Sequence, residues 1–147
     1  QKTIHLTHPD MTRFWITLDE ALDLVSFAVT EMQGGEIFIP KIPSMKITDL
    51  FGALAPDAKH KIIGIRPGEK IHEVLLTEHE ARRTLDLKKY FVILPEATPW
   101  TTKDIYKKYK ARGKKLAKDF TYASHTNDSW LTHKKLADIV KRLAPHA

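Results

Sequence analysis

The chain has 147 residues, of which 42% are hydrophobic and 29% charged, a balance typical of one ordinary globular domain. Its lack of cysteine excludes disulfides and cysteine-ligated metals, and it has no run of the roughly 20 apolar residues that a membrane span needs. The net charge is +6, but the segment 103–118 alone holds eight basic residues and one acid, a charge of +7, so the rest of the chain carries −1.

The first third of the chain predicts a strand, a helix and a second strand. Residues 14–17 are aromatic or β-branched, as strands prefer. Thr17 and Glu20 form a capping box, which predicts a helix that begins there and ends at the glycine pair 34–35, where glycine takes a left-handed cap. Its apolar residues recur at helical spacing: Leu18, Ala21, Leu22, Val25, Ala28, Val29 and Met32. Residues 36–40 predict a strand, and their apolar character suits a buried position in a sheet.

The middle of the chain predicts short elements around a turn. Thr48 is expected to cap a short helix that follows a loop with two prolines. Residues 60–65 predict a strand that runs into the turn Arg66-Pro67-Gly68, and a helix is expected to begin near Glu69.

The last third of the chain predicts two helices, a strand and a basic segment. Thr77 and Glu80 form a second capping box, which predicts a helix through Thr84. Residues 90–93 predict a strand. The closing helix has one apolar face, made of Leu136, Ile139, Val140 and Leu143. This order of elements predicts a mixed α/β or α+β fold, and its few strands make a thin sheet by themselves. Because the chain starts at Gln1 rather than Met, we expect it to begin within a longer precursor.

Two segments place an arginine beside a turn or a strand. Arg13 immediately precedes the aromatic pair Phe14-Trp15, and Arg66 leaves a strand at a proline–glycine turn. An arginine fork can grip two phosphate oxygens at once, and a helix that begins near Glu69 would add free amides and the positive end of its dipole. Together the two arginines could clamp a diphosphate, with Glu69 accepting hydrogen bonds from a ribose or sugar hydroxyl.

Other kinds of site fail on inspection of the sequence. His5 and His8 have no third metal ligand nearby, and no Ser/His/Asp grouping or paired carboxylates can be assigned. A Gly-x-Gly-x-x-Gly phosphate loop is also missing. The motifs therefore predict a chain that binds but contributes no catalytic residue, no cofactor-binding residue and no metal ligand.

Three linked motifs resemble the inverting UDP-N-acetylglucosamine 4,6-dehydratases, which are extended short-chain dehydrogenase/reductases. They are Met-Thr-Arg-Phe-Trp-Ile-Thr at 11–17, Gly-Glu-Ile-Phe-Ile-Pro-Lys-Ile-Pro-Ser-Met-Lys-Ile-Thr-Asp-Leu at 35–50 and Ile-Ile-Gly-Ile-Arg-Pro-Gly-Glu-Lys-Ile-His-Glu at 62–73. Residues 122–132 also resemble that family's tail. The likeness covers residues 8–143, and the run at 41–46 favours inverting over retaining members.

This resemblance implies the carboxy-terminal, substrate-binding part of the enzyme, with the Rossmann half that holds NADP absent from these residues. Members oxidise C4 of the sugar, eliminate water across C5 and C6 and return the hydride to C6, and inverting members also flip C5. The implied substrate is UDP-N-acetylglucosamine, in nucleotide-sugar and pseudaminic acid biosynthesis. A cytoplasmic homo-oligomer with no membrane association is expected. The complete protein would be a lyase, and this chain alone is expected to be inactive.

The motif match also assigns residues. Arg13 and Arg66 would contact the diphosphate or nucleotide, Glu69 the ribose or uridine side, and Lys41, Met45 and Lys46 would lie on a substrate-facing loop. By composition and motifs the chain divides into a sugar-nucleotide-binding region (1–101), a basic segment (102–120) and a carboxy-terminal helix region (121–147).

Two alternatives stay open at this point. One is a related nucleotide-sugar epimerase or a C5-retaining dehydratase. The other, which is disfavoured, is a nucleic-acid-binding module that uses the basic segment with Tyr106 and Tyr109. For the basic segment itself the leading expectation is a solvated arm, followed by contact with an acidic surface of a neighbouring subunit.

Overall fold

The computed structural model describes residues 3–96 and 103–143. The strands are β1 (Thr3–Leu6), β2 (Thr12–Phe14), β3 (Ile37–Pro40), β4 (Ser44–Lys46), β5 (Lys59–Ile62), β6 (Val74–Leu76), β7 (Thr84–Asp86), β8 (Tyr90–Ile93), β9 (Lys114–Lys115) and β10 (Tyr122–Ala123). The helices are α1 (Leu18–Glu31), α2 (Ile47–Leu54), α3 (Glu78–Ala81), α4 (Lys103–Lys110) and α5 (His133–Leu143). Short parallel and antiparallel pairings interspersed with helices confirm the mixed α/β class.

The chain forms two compact units, each assembled from separated stretches of sequence. Unit 1 comprises Gln1–Trp15, Ile42–Glu73 and Ala123–Ala147, and unit 2 comprises Ile16–Lys41 and Val74–Tyr122. The three regions drawn from composition and motifs stay a prediction about function, because they follow the order of the chain rather than its contacts.

Unit 1 combines two strand pairs with two packed helices. β1 pairs with β5 in parallel, and β2 pairs with β4 antiparallel, so that Arg13 lies opposite Met45. α2 packs against α5. At Gly52 an added Cβ would lie 3.2 Å from the imidazole of His133, so glycine permits the close approach of these helices. The buried apolar residues of this unit include Leu6, Met11, Ile42, Met45 and Leu136.

Unit 2 is organised around a four-stranded antiparallel sheet in the order β3-β8-β7-β9. Its main core cluster consists of Leu85, Val92, Leu94, Ile105 and Tyr109. Two of these residues come from α4 of the basic segment, and Lys114 and Lys115 of that segment extend the sheet beside β7. The expectation of a solvated arm is therefore wrong for the described part of this segment.

Both predicted capping boxes are confirmed. The hydroxyl of Thr17 accepts a hydrogen bond from the amide of Glu20, whose carboxylate accepts from the amide of Thr17. Thr77 and Glu80 repeat this arrangement at α3. α3 nevertheless ends at Ala81 rather than at the predicted residue 84, which instead begins β7.

The predicted end of α1 is wrong. The helix ends at Glu31, and its cap residue Met32 has an extended conformation, with φ −65° and ψ 145°. Gly34 and Gly35 do have positive φ values, of 130° and 86°, but they lie in the following turn. The carboxylate of Glu36 accepts hydrogen bonds from the amides in this turn and fixes its shape.

The apolar face predicted for α1 is exposed, and none of this helix's residues is buried. Leu18 is 76% exposed, Val29 71%, and Leu22 and Val25 more than half. β3 likewise lies at an edge of its sheet, and the buried position predicted for this strand is confirmed for Ile39 but not for the exposed Ile37. Periodicity predicted a helix correctly, but it does not reveal what covers the apolar face.

Two strands begin and end earlier than predicted. β2 occupies 12–14 rather than 14–17, because it pairs with β4 only as far as Phe14, and the amide of Trp15 then donates to the carbonyl of Pro43 at 2.8 Å. β5 ends at Ile62 rather than at 65. The strand predicted at 90–93 is confirmed, since β8 has these bounds.

Two predicted helix starts are wrong. α2 begins at Ile47, so Thr48 lies inside the helix, and its cap residue Lys46 makes no side-chain capping bond. No helix begins near Glu69, since residues 67–68 form a turn, residues 69–70 have no regular structure and residues 71–72 form a bend. The dipole and free amides of a helix are consequently not available at that position for binding a phosphate.

Candidate functional site

The turn at residues 66–69 in unit 1 is held by Glu69. The amide of Glu69 donates to the carbonyl of Arg66 at 3.0 Å, and its carboxylate accepts from the amide of Arg66 at 3.1 Å. The other carboxylate oxygen accepts from the hydroxyl of Thr7 at 3.3 Å. Gly68 has a φ of 80°, a left-handed conformation that glycine adopts without steric cost. Glu69 therefore closes the turn, and this is the local reason why a helix does not form there.

The side chain of Arg66 projects from this closed turn. It is exposed, and within residues 3–96 and 103–143 no hydrogen bond or ion pair engages its guanidinium group. All five of its N–H donors are thus available to a ligand. A rigid turn that presents an unpaired arginine fork is suited to binding a phosphate group in bidentate fashion.

Arg13 fastens the segment that follows this turn. Its Nη1 donates to the carbonyls of Thr12 (2.7 Å) and Ile71 (3.0 Å), and its Nη2 donates to the carbonyl of Lys70 (2.9 Å). Its Nε lies 3.6 Å from the Glu73 carboxylate. Arg13 thus lies against the segment that follows the Arg66 turn, and three of its five N–H groups bind backbone carbonyls. The geometry favours Arg13 as the residue that positions the turn.

A buried hydroxyl pair supports the same segment from below. The hydroxyls of Thr12 and Ser124 lie 2.7 Å apart, and both residues are almost fully buried. Thr12 also contacts Nδ1 of His72 at 2.8 Å, and Ser124 accepts from the amide of Glu73 at 2.9 Å. This network links β2, the segment 70–73 and residue 124, which are distant in sequence. Both residues lie in segments that resemble the family, but sequence reasoning missed their contact, because no local pattern pairs positions 112 residues apart.

The imidazoles of His72 and His125 are stacked, with ring centroids 4.2 Å apart and planes inclined by 25°. Burial lowers the pKa of His72 below its ordinary value, and the neighbouring His125 lowers it further; Asp10 opposes this in part, and Arg13 and His8 add smaller lowering effects. The neutral ring of His72 can either accept a hydrogen bond from the Thr12 hydroxyl or donate one to it. The protonated ring is disfavoured at this position.

This arrangement predicts that unit 1 loses stability in mild acid. The pKa of His72 is lowered in the folded state, so the unfolded chain binds a proton more readily, and stability falls as pH drops below the ordinary histidine value of about 6.5. We expect the melting temperature to decrease between pH 7.5 and pH 5.5, as followed by circular dichroism, and the decrease to be smaller in His72→Gln.

The exposed His79 on α3 provides the matched control. His79→Gln is expected to retain the pH dependence of the unaltered chain. A melting temperature whose pH dependence is the same with and without His72 would contradict the assignment.

The remaining predicted residues have different environments. Met45 is buried in unit 1 with 6% exposure, and the adjacent Lys46 is exposed. Lys41 belongs to unit 2, where its amino group lies 2.6 Å from the Asp86 carboxylate and 4.6 Å from the centre of the Phe91 ring. Of the six residues predicted to bind the substrate, three are close together: Arg66 and Glu69 belong to the turn at 66–69, and Arg13 bonds to the residues that follow it.

The basic segment has several of its charges occupied within unit 2. Arg112 lies 2.5 Å and Lys108 3.0 Å from the same carboxylate of Glu31. Lys110 lies over the ring of Tyr106, and Tyr109 is completely buried. A buried Tyr109 is unable to stack on a base, which removes one of the two aromatic groups that the nucleic-acid alternative requires.

Metal-binding clusters and membrane-crossing helices are both absent from residues 3–96 and 103–143. No cluster of three or more His, Asp or Glu side chains suited to a metal ion occurs among them. None of the helices in the described part of the chain has the length and apolar character needed to cross a membrane.

Comparisons with known proteins identify relatives of the whole chain. Residues 1–95 match the family described as polysaccharide biosynthesis protein. An inverting UDP-N-acetylglucosamine 4,6-dehydratase of Campylobacter jejuni is 43% identical over 142 residues, which are 95% of this chain and 42% of that protein. A UDP-glucose 4-epimerase of Rickettsia conorii is 38% identical over 130 residues, 84% of this chain and 37% of that protein.

A solved structure agrees with these matches. The X-ray structure of Pen from Bacillus thuringiensis superimposes with a TM-score of 0.77 at 27% sequence identity, over 97% of this chain and 42% of that one. The chain thus spans about two fifths of the length of the relatives that it matches.

Proposed function

The chain belongs to the polysaccharide biosynthesis protein family, and we propose that it forms the sugar-nucleotide-binding part of an NADP-dependent, C5-inverting UDP-N-acetylglucosamine 4,6-dehydratase. The observation that carries this proposal is the motif 62–73, which folds into a braced turn with the unpaired guanidinium of Arg66 projecting from it. The higher identity to the dehydratase than to the epimerase, 43% against 38%, supports the choice of reaction.

Within this proposal the predicted residues take different roles. Arg66 contacts the diphosphate of UDP-N-acetylglucosamine, and the exposed Lys46 is a further candidate contact. Arg13 and Glu69 act as positioning residues, because their polar groups hold the turn that carries Arg66. Lys41 and Met45 stay candidates for the substrate-facing loop. One N–H on Nη2 of Arg13 makes none of the hydrogen bonds described, so it can donate to an oxygen of the ligand.

The described residues do not form the glycine-rich loop that usually holds NADP. At the one pair of consecutive glycines, 34–35, the carboxylate of Glu36 accepts hydrogen bonds from the amides of Gln33 and Gly34, so these amides are not free to bind a phosphate. We therefore assign NADP to the amino-terminal half of the complete enzyme.

The exposed apolar face of α1 supports the view that this chain acts within a larger enzyme. Four aliphatic residues of one helix are more than half exposed: Leu18, Leu22, Val25 and Val29. Contiguous exposed apolar surface of this kind usually marks an interaction site. In our proposal the remainder of the enzyme covers it, the complete enzyme is a cytoplasmic homo-oligomer, and the isolated chain has no dehydratase activity.

Product analysis on the complete enzyme tests the proposed reaction. Incubation with UDP-N-acetylglucosamine and NADP, followed by proton NMR, is expected to give a 4-keto-6-deoxy sugar nucleotide with C5 inverted. A new C6 methyl signal separates this product from that of a 4-epimerase, which leaves the C6 hydroxymethyl group intact. A product with C5 retained, or a simple C4 epimer, would overturn the assignment in favour of the corresponding alternative.

A further inference from the structure

A cavity lies in unit 2 and shares no residue with the Arg66 turn of unit 1. Its volume is about 700 Å³, within the range of about 300–1,000 Å³ that small-molecule sites occupy. The cavity is lined by Asp23, Phe27, Leu87, Lys88, Lys89, Tyr90 and Arg112. These residues come from α1, from the turn between β7 and β8, from the first residue of β8, and from the stretch between α4 and β9.

The charge around this cavity favours an anion. Three cations and a single carboxylate line it, and within residues 3–96 and 103–143 no acid pairs with Lys88 or Lys89. Arg112 is held in place by Glu31 at 2.5 Å. Lys108 contacts the same carboxylate, so Glu31 is shared between two cations and neutralises Arg112 only in part. One fixed and two adjustable cations therefore surround the same space.

An aromatic wall completes the cavity. The rings of Phe27 and Tyr90 are stacked, with centroids 4.3 Å apart and planes inclined by 24°, and both side chains are only half-buried. Ring stacking of this kind provides a flat, rigid surface for a further planar group. Asp23 is the one carboxylate among the lining residues, and it can accept hydrogen bonds from ribose hydroxyls.

The backbone of Lys88, one of the residues that line the cavity, is strained. Its φ is 72°, the left-handed region that glycine and asparagine adopt at little cost and lysine rarely does. Its amide donates to the carboxylate of Asp86 at 2.9 Å, and the amide of Lys89 donates to the carbonyl of Leu87. Asparagine would adopt this left-handed conformation with less strain than lysine does. Backbone strain of this kind concentrates at ligand-binding positions.

We propose that this cavity binds a nucleoside phosphate, with the phosphates on Lys88, Lys89 and Arg112, the base against the Tyr90–Phe27 stack and a ribose hydroxyl on Asp23. The site is a second ligand site in addition to the one proposed for the sugar nucleotide. It stands on residues of unit 2 alone, so it does not depend on the dehydratase assignment.

Isothermal titration of the 147-residue chain with ADP, ribose 5-phosphate and adenosine tests the proposal. ADP is expected to bind most tightly, because it alone carries both the ring and the phosphates. Lys88→Asn is expected to weaken ADP and ribose 5-phosphate binding by about fivefold to tenfold, since it removes one charge-assisted contact. Its melting temperature is expected to stay equal or rise, because asparagine tolerates the left-handed backbone.

A second variant separates the ring from the phosphates. Tyr90→Leu retains apolar bulk but removes the flat face, and is expected to weaken ADP binding by about fivefold while leaving ribose 5-phosphate unchanged. The exposed Lys134 on α5 is the control, and Lys134→Asn is expected to change neither affinity. No measurable ADP binding, or equal losses in Lys88→Asn and Lys134→Asn, would overturn the proposal, and so would ADP affinity that is unaffected by Tyr90→Leu.

Discussion

Replacing Arg66 with alanine in the complete enzyme is expected to lower kcat/KM for UDP-N-acetylglucosamine by about 10- to 100-fold. Removing a hydrogen bond to a charged group costs about 1.5–3 kcal/mol, and each 1.4 kcal/mol is a factor of ten. The guanidinium of Arg66 has no partner in the described part of the chain, so the fold loses nothing when it is removed. Steady-state kinetics with a melting curve for each variant checks both statements.

Three further variants make this prediction specific. Arg66→Lys is expected to recover part of the activity, because lysine retains the charge but loses the bidentate geometry. Arg82→Ala, which removes another exposed arginine, is the matched control and is expected to leave kcat/KM unchanged. Arg13→Ala is expected to lower the melting temperature as well as kcat/KM, because its bonds to the carbonyls of Lys70 and Ile71 are structural. Full activity of Arg66→Ala would remove the site assignment.

Truncation of Tyr109 to alanine is expected to lower the free energy of unfolding by about 3–5 kcal/mol, the usual cost of emptying a large core position. Tyr109 is fully buried, packs within the main cluster of unit 2 and lies 6.1 Å from the ring of Phe38. Its hydroxyl has a single proton and lies within hydrogen-bond distance of two acceptors, the carbonyl of Glu31 at 2.8 Å and the carboxylate of Glu36 at 3.1 Å. Burial raises the pKa of this phenol, and the adjacent Glu36 raises it further, so it stays a donor throughout the accessible pH range.

The hydroxyl alone is tested by Tyr109→Phe, which is expected to lower the free energy of unfolding by about 1–2 kcal/mol. The ring remains, but the carboxylate of Glu36 then depends on the amides of Gln33 and Gly34. Tyr106→Phe is the control, because its hydroxyl makes one bond of 3.3 Å at a partly buried position. Urea denaturation followed by circular dichroism measures all three variants. An effect of Tyr109→Phe no larger than that of Tyr106→Phe would contradict this account.

The features predicted correctly from the sequence are those that are satisfied locally. Thr17 with Glu20, and Thr77 with Glu80, form capping boxes because every partner lies within three residues. The strand at 90–93 follows from its composition. The family motifs also predicted the polysaccharide biosynthesis relationship, because a motif is a property of sequence order and needs no packing to be recognised.

The errors occur where a partner is distant in sequence. A helix was predicted to begin near Glu69, after the proline–glycine turn, but that carboxylate bonds to the hydroxyl of Thr7, 62 residues away, as well as to the nearby amide of Arg66. The same cause changes the role of Arg13, whose donors bind carbonyls nearly 60 residues away. The contact of Glu69 with Thr7 and the contacts of Arg13 with the carbonyls of Lys70 and Ile71 leave no signal in the local sequence. The buried pair Thr12 and Ser124 was missed for this reason as well.

By itself the sequence determined the family, the mixed α/β class, the capped helix starts and the position of Arg66 on a turn. Only the tertiary structure decided that Arg13 bonds to the backbone whereas the guanidinium of Arg66 has no partner in the described residues, that the basic segment supplies core residues, and that one face of α1 is exposed. The physical reason is the range of the interactions. Propensity and capping act over a few residues, whereas desolvation and the pairing of charges depend on atoms that folding brings together from distant parts of the chain.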